Sequence, residues 1–172
     1  MQVYLAAPIF NTLDINEIEI VEKVCKELKL NFFSPRLETK DIQFSKLDKN
    51  SSSYLKDRDY LATEILKRNV KGILQSQLLI ANTRDFDAGT IWEMGFAFAN
   101  HIPIVSYTFK KYGLNIMLSQ TVITHINSIT PENYSDLQKI LSKVLSLPLN
   151  NYDNTKLEAF RSNFNYINED LE

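Results

Sequence analysis

The 172-residue sequence contains a single cysteine, Cys25. Without a second thiol no intramolecular disulfide is possible, so we expect a fold that depends on its core and a reducing, cytoplasmic environment. Cys25 lies in a stretch with helical spacing of apolar residues, and we interpret it as a small residue of the core.

An excess of positive charge is also lacking. The 19 basic residues are outnumbered by 21 acidic ones, which gives a formal net charge of -2. Such a chain has no basic field to attract a phosphate backbone, so no nucleic-acid partner is expected. No apolar run approaches the ~20 residues of a membrane span, and the N-terminus shows neither a basic leader nor a small-residue cleavage pattern. We therefore expect a soluble protein that is neither membrane-bound nor exported.

What the sequence does have is an ordinary globular composition, with 44% hydrophobic residues. A single domain of this size buries roughly two thirds of the surface of its unfolded chain, which is enough to fold alone. We predict one domain over residues 1–149, followed over 150–172 by a polar tail that packs on this domain or on a neighbouring subunit.

Short apolar runs alternate with segments of helical spacing. The runs predict strands over residues 2–7, 31–35, 78–81, 103–107 and 121–126, and the other segments predict helices over 12–30, 54–73, 85–99 and 131–145. This alternation predicts a flavodoxin-like, doubly wound α/β sandwich, in which a five-stranded parallel sheet carries helices on both faces. We expect the first strand at its centre, a helix cap near Asn11 or Thr12, and Gly72 near the end of the second helix.

Residues 36–53 are polar, mixed in charge and without periodicity. Loops of this length inside a domain are usually functional or mobile, so we predict a flap over a site. Ligands of doubly wound sheets bind beyond the carboxyl ends of the strands, which directs attention to residues 6–11, 35 onward, 82–89 and 108–115.

The segment DFDAGTIWEMGFAFA, residues 85–99, places two acids on an almost wholly apolar helix. Asp87 lies at its start and Glu93 one turn inside. The positive helix end favours both anions while partial burial raises a carboxyl pKa, and a poorly hydrated carboxylate is suited to nucleophilic catalysis. The alternative is a structural Glu bonded to backbone donors or to an arginine. Gly89 and Gly95 favour the functional interpretation, because glycine inside a helix indicates close approach of the backbone.

Tyr4 is the third candidate. A tyrosine in a buried strand is more often part of the core, but its hydroxyl then needs a partner. Because the first strand runs toward the same edge of the sheet, a hydrogen bond from Tyr4 to Glu93 would satisfy both groups.

Four segments, VYLAAPIF at 3–10, NVKGI at 69–73, DAGTIWEMG at 87–95 and LNIM at 114–117, occur in order along the first 130 residues. Together they resemble the nucleoside 2-deoxyribosyltransferase family. The resemblance implies ping-pong transfer of 2-deoxyribose between nucleobases with net retention, in nucleotide salvage and without a cofactor or a metal. The substrates would be deoxynucleosides and free nucleobases.

The resemblance also implies roles for the candidate residues. Glu93 would be the nucleophile that forms a glycosyl-enzyme ester, Tyr4 would position it, and Asp87 would protonate the departing base and deprotonate the incoming one. The paired carboxylates follow the logic of retaining glycosidases.

Further positions match substrate-binding residues of the family: Asn69, Ala6, Phe10, Gly89, Asn115 and Met117. The last two match residues lent to a neighbouring subunit's pocket near the sugar, so we expect a homo-oligomer, typically a hexamer built from dimers. Asn69 departs from the family pattern, in which an aspartate commonly binds the base, and an amide donates as well as accepts. Ala6 replaces a glycine of many members, and residues 167–172 extend beyond the family's usual aromatic end.

Two other functions stay open from the sequence. The same fold and glutamate occur in N-glycosidases that hydrolyse nucleotides, and doubly wound sheets also serve as non-catalytic nucleotide-binding modules. A metal enzyme is the least favoured interpretation, since His101 and His125 have no ligand spacing between them.

Overall fold

Five short parallel strands form one sheet in a computed structural model that describes residues 1–110, 113–130 and 134–164. The strands are β1 (Gln2–Ala6), β2 (Asn31–Phe33), β3 (Leu78–Asn82), β4 (Ile104–Tyr107) and β5 (Thr124–Ile126). Their order is β2-β1-β3-β4-β5. This order confirms the predicted flavodoxin-like sheet but places β3, not β1, at its centre.

Helices cover both faces of the sheet. They are α1 (Thr12–Glu27), α2 (Pro35–Glu38), α3 (Tyr54–Leu74), α4 (Ala88–Ala99), α5 (Ile116–Ser119), α6 (Ser135–Leu145) and α7 (Leu157–Arg161), with 3-10 turns at Phe44–Lys46, Arg84–Phe86, Leu149–Asn151 and Asn154–Lys156. Val3 and Leu5 of β1 pack toward α1 and α6. Tyr4 and Ala6 pack toward α3 and α4. Because successive side chains of a strand point to opposite faces, the period of β1 places Tyr4 on the α4 face.

Most predicted boundaries lie within a few residues of the observed ones, and the differences have local causes. The predicted cap is Asn11, whose side chain accepts a hydrogen bond from the Asp14 N–H. Helix α1 ends at Glu27 rather than at residue 30 because Lys29 takes a left-handed φ of 55°. The second strand stops early because Pro35 is the first residue of α2, a position where its missing N–H costs nothing.

Residues 36–53, predicted as an aperiodic loop, include most of α2 and a 3-10 turn and are tied to the domain by two ion pairs. Arg36 binds both carboxylate oxygens of Glu22 on α1. Arg68 of α3 does the same with Asp41. The first part of this segment therefore follows a fixed path, and its role as a flap stays a prediction.

The chain after residue 149 continues as short helical turns whose aromatic side chains join the core on the α1 face. Tyr152, Leu157 and Phe160 are buried there. Residues 131–133, predicted to begin the last long helix, and 165–172 of the predicted tail lie outside the described residues, and the domain boundary at 149 stays a prediction. In the part of the chain that the structure describes, no helix has the length and apolarity needed to cross a bilayer.

Candidate active site

Glu93 is buried on α4, on the side that packs against the sheet. Only 8% of the residue is exposed, because Met94 and Ala97 of the same helix lie fully buried against the strands. The hydrogen bonds that the structure gives to its carboxylate come from two neutral side chains. Neither partner expected of a structural glutamate, an arginine or a backbone N–H, is among them.

The two neutral donors converge on one oxygen of Glu93. The Tyr4 hydroxyl donates to Oε1 at 2.5 Å, which confirms the hydrogen bond predicted from the sequence. The Nδ2 of Asn69 donates to the same oxygen at 3.3 Å. From the described residues, Oε2 receives no hydrogen bond, so the carboxylate is held at one oxygen and left open at the other.

The surroundings hold Glu93 near the point of ionisation at neutral pH. Burial raises its pKa to about 7, and the negative charge of Asp87 acts in the same direction. The hydrogen bonds from Tyr4 and Asn69 lower the pKa and so favour the anion. Burial and the adjacent carboxylate raise the pKa of Tyr4 far above its ordinary value, which keeps its hydroxyl a donor.

Asp87 is the N-cap of α4. Its Oδ2 accepts hydrogen bonds from the Thr90 N–H at 2.8 Å and the Thr90 hydroxyl at 3.0 Å. A Cβ on Gly89 would lie 3.2 Å from this oxygen, so the glycine leaves room for the carboxylate. Around Gly95 a Cβ would meet nothing within 4 Å, and the close approach predicted there is not present within the described part of this chain.

Tyr4 is held in place by its stacking on Phe33. The two rings lie 5.3 Å apart with an interplanar angle of 11°. A Cβ on Gly72 would come within 2.8 Å of the Phe33 ring. Gly72 lies near the end of α3, as predicted, but instead of capping the helix it allows α3 to approach β2. The same approach brings Asn69, one turn earlier on α3, to Glu93.

The structure does not bring every predicted residue to this carboxylate. Ala6 ends β1 on the same face as Tyr4. Phe10 is 79% exposed, in the loop after β1. Asn115 caps α5, accepting a hydrogen bond from the Met117 N–H, and both residues line an apolar groove of about 600 Å³ beside Trp92. Within one chain neither residue is hydrogen-bonded to Glu93 in the described structure.

A second buried cluster, missed by the sequence analysis, lies across the sheet edge from Glu93. Glu17 of α1 accepts hydrogen bonds from Nε and Nη2 of Arg84 and from Nδ2 of Asn82. Glu17 and Asp14 fall on the same helical stripe as Ile18 and Val21. That periodicity is the signal that could have marked the two acids as buried.

Fold and site together define a flavodoxin-like α/β protein with a buried glutamate at the carboxyl edge of its sheet, bonded to no cation among the described residues, and with a second acid six residues earlier at the start of the same helix. A family model, Nucleoside 2-deoxyribosyltransferase, matches residues 3–161. The chain belongs to the nucleoside 2-deoxyribosyltransferase family. Among curated proteins, none matches its sequence significantly.

Solved structures of similar fold include a deoxyribosyltransferase and an N-glycosidase. A 2-deoxyribosyltransferase from Bacillus psychrosaccharolyticus has 21% identity and a TM-score of 0.61, over 91% of this chain and 96% of that chain. A CMP N-glycosidase from Clostridium botulinum has 16% identity and a TM-score of 0.50, over 81% and 99%. At these identities the likeness shows the fold alone.

Proposed function

We propose that this protein is a nucleoside 2-deoxyribosyltransferase that uses Glu93 as its nucleophile. The observation that carries the proposal is the one-sided bonding of this buried carboxylate. Tyr4 and Asn69 hold Oε1, while Oε2 has no donor among the described residues. A carboxylate that is partly desolvated, anchored at one oxygen and paired with no cation in the described part of the chain keeps its negative charge available for attack on carbon.

In the first half-reaction, Oε2 attacks the anomeric carbon of a 2-deoxynucleoside. The carbon–oxygen bond of a glycosyl ester forms as the bond to the base nitrogen breaks. The electron pair of the broken carbon–nitrogen bond passes to the nitrogen, which takes a proton from Asp87 in its carboxylic acid form and leaves Asp87 as a carboxylate. The hydrogen bond from Tyr4 keeps Oε1 oriented during the attack, so that the reacting oxygen is positioned before the substrate arrives.

In the second half-reaction, a different base attacks the same carbon and displaces Glu93. Asp87 takes the proton of the incoming nitrogen, and the glycosyl ester bond breaks to return the free carboxylate. Two displacements at one carbon give net retention, as in retaining glycosidases. If water takes the place of the base, the same steps give hydrolysis.

Hydrolysis of nucleotides is the second candidate, because the Clostridium botulinum neighbour is a CMP N-glycosidase. A nucleotide substrate would require donors for its phosphate near the sugar. Two cations described beside the loop before α4 are already bonded to carboxylates, Arg84 to Glu17 and Lys110 to Asp85. The Arg84 pair is largely buried and the Lys110 pair is exposed, so it is the commitment of Arg84 that supports an uncharged nucleoside and favours the transferase.

A homo-oligomer is part of the proposal. Helix α3 is 21 residues long, yet Gly72 and Ile73 are its buried residues. Isolated helices are marginal in water and depend on packing. Leu55, Tyr60 and Leu66 are half or more exposed along this helix. A second copy that covered α3 and the groove beside Trp92 would account for these apolar surfaces, and it would place the Asn115 segment at a neighbouring site.

The test is an incubation with deoxyinosine, with and without free adenine, followed by chromatography of nucleosides and bases. The transferase should form deoxyadenosine and release hypoxanthine much faster when adenine is present. Equal hypoxanthine release without an acceptor, with no deoxyadenosine formed, would instead establish the hydrolase.

A further inference from the structure

The loop that leads from β3 to the proposed acid contains two strained residues in succession. Asp85 and Phe86 both take left-handed φ angles, 53° and 50°. Lys29 and His101 also have positive φ, but each directly follows the end of a helix, where this conformation is common. A bulky residue such as Phe86 rarely adopts it, and such residues persist where surrounding contacts determine them.

Arg84, directly before the strained pair, is fixed by contacts on the other face of the sheet. Its Nε donates to Oε2 of Glu17 at 2.8 Å, and its Nη2 donates to Oε1. Glu17 belongs to α1 and is only 3% exposed. The guanidinium is therefore held in one plane by a carboxylate that is itself buried.

Asn82 locks this pair to the backbone of the loop. Its Nδ2 donates to Oε2 of Glu17 at 2.8 Å, and its Oδ1 accepts the N–H of Arg84 at 3.0 Å. The N–H of Thr83 donates to the Tyr107 carbonyl at 2.9 Å. Both ends of Arg84, backbone and guanidinium, are thus fixed before the chain enters its left-handed residues.

The fixed segment ends at the proposed acid. The N–H of Phe86 donates to the Thr83 carbonyl at 3.2 Å, and the N–H of Asp87 donates to the Arg84 carbonyl at 3.4 Å. Through these two bonds, the fixed position of Arg84 also determines the position of the Asp87 backbone, less than one turn later. The Asp87 side chain is also fixed from the helix that follows, because its Oδ2 accepts the N–H of Thr90.

We infer that Arg84, clamped by Glu17 and Asn82, is a positioning residue that sets the direction of the Asp87 carboxyl group toward the leaving base. The inference rests on the proposed function, in which Asp87 is the acid. The fork of a guanidinium fixes two bonds in one plane, whereas an ammonium at the same place is a single point charge. Arg84→Lys therefore keeps the buried charge balanced and removes the orientation.

The experiment measures kcat for a series of 2′-deoxynucleosides that the wild-type enzyme accepts and whose bases differ in acidity. A well-placed acid makes the rate insensitive to how poor a leaving group the base is. In Arg84→Lys, kcat should fall roughly 10–100-fold for the least acidic base and little for the most acidic one. Asp87→Asn should show the same steep dependence, and Glu17→Gln serves as a second variant if Arg84→Lys folds poorly.

Arg36→Lys is the matched control, because Arg36 forms the same two-bond pair with Glu22 on the same helix. It should lower the melting temperature as much as Arg84→Lys while leaving the dependence on base acidity as in wild type. Equal loss of kcat for all bases in Arg84→Lys and Glu17→Gln would overturn the inference. If Asp87→Asn itself kept the wild-type dependence, the assignment of the acid would fail instead.

Discussion

The two faces of the sheet treat their buried glutamates in opposite ways. On α1, Glu17 and Glu22 are 3% and 2% exposed, and each binds the fork of an arginine. On α4, Glu93 is about as deeply buried, at 8%, yet its bonds come from a tyrosine hydroxyl and an amide. Among residues 1–110, 113–130 and 134–164, the same side chain is thus paired with an arginine on one face and bonded to no cation on the other.

This contrast separates a carboxylate that holds structure from one that can react. An ion pair compensates a buried charge, and removal of either partner is strongly destabilising. Neutral donors compensate it only partly, which is why burial raises the pKa of Glu93 to about 7. In the proposed mechanism, this incompletely compensated carboxylate of the α4 face is the one that forms a bond to carbon, whereas the paired carboxylates of the α1 face hold structure.

The largest expected effect is on activity. Glu93→Gln should lower kcat by at least about 10⁴-fold, because the amide lacks the charge needed to form a glycosyl ester. Transfer from deoxyinosine to adenine measures it. Glu93→Ala should likewise lose turnover but still bind nucleoside. Transfer that survived in both variants would show that Glu93 is not the nucleophile and would remove the contrast between the faces.

The same substitution of a buried glutamate on the α1 face should lower stability. Glu22→Gln leaves the Arg36 guanidinium without its buried partner, and we expect the free energy of unfolding to fall by about 3–5 kcal/mol. Denaturant titration at fixed protein concentration measures this loss. A change of less than about 1 kcal/mol would mean that the α1 pairs are no more structural than Glu93.

Whereas Glu22→Gln should destabilise the protein, Glu93→Gln should stabilise it at high pH. In the folded protein the pKa of Glu93 is raised from 4.5 to about 7, so the folded state binds this proton more tightly than the unfolded chain. Wild-type stability should therefore fall as pH rises between these values and stay level above the upper one. Since a shift of this size corresponds to about 3 kcal/mol, the substitution should stabilise the protein by up to that amount at about pH 8. Denaturant titrations across this pH range measure the gain, which should vanish near the lower value.

The sequence allowed the α4 face to be predicted far better than the α1 face. Glu93 stands alone among apolar residues and Tyr4 lies in a buried strand, so local pattern was sufficient to pair them. Glu17 and Arg84 are 67 positions apart, and although the helical stripe could have marked Glu17 as buried, no local pattern marks Arg84 as its partner. Their contact depends on which helix covers which end of β3, and that is set by the packing of the whole sheet.

Asn69 shows a second limit of sequence reasoning. Its position on α3 was expected to matter for the base, which stays a prediction; the structure adds a hydrogen bond from its side chain to Glu93. The contact depends on Gly72, which allows α3 to approach Phe33. A glycine near the end of a helical pattern is most simply interpreted as a cap, because spacing alone does not reveal the neighbour that a side chain would strike.

Smaller effects should come from the donors to Glu93. Tyr4→Phe removes the shorter of the two hydrogen bonds, and this bond lowers the pKa of the carboxyl group. We expect kcat to fall about tenfold at about pH 8, in line with one lost hydrogen bond to a charged group, and the loss should grow as pH decreases. A pH profile from about 5 to 9 measures both. A uniform loss across the profile would indicate that Tyr4 acts through packing on Phe33 alone.

The smallest effect, and the most specific, is expected for Asn69→Asp. The change replaces a donor to Oε1 by a second negative charge, while its volume stays almost the same. Both consequences raise the pKa of Glu93, so the acidic limb of the activity profile should move upward by about one pH unit. Transfer should then be about tenfold slower at about pH 6 and close to wild type at about pH 9. Asn69→Ala, which removes the donor without adding charge, should move the limb by less. If the acidic limb of the activity profile stayed as in wild type in both variants, the Asn69 amide would not control ionisation of Glu93. Of the two described donors, Tyr4 alone would then control it.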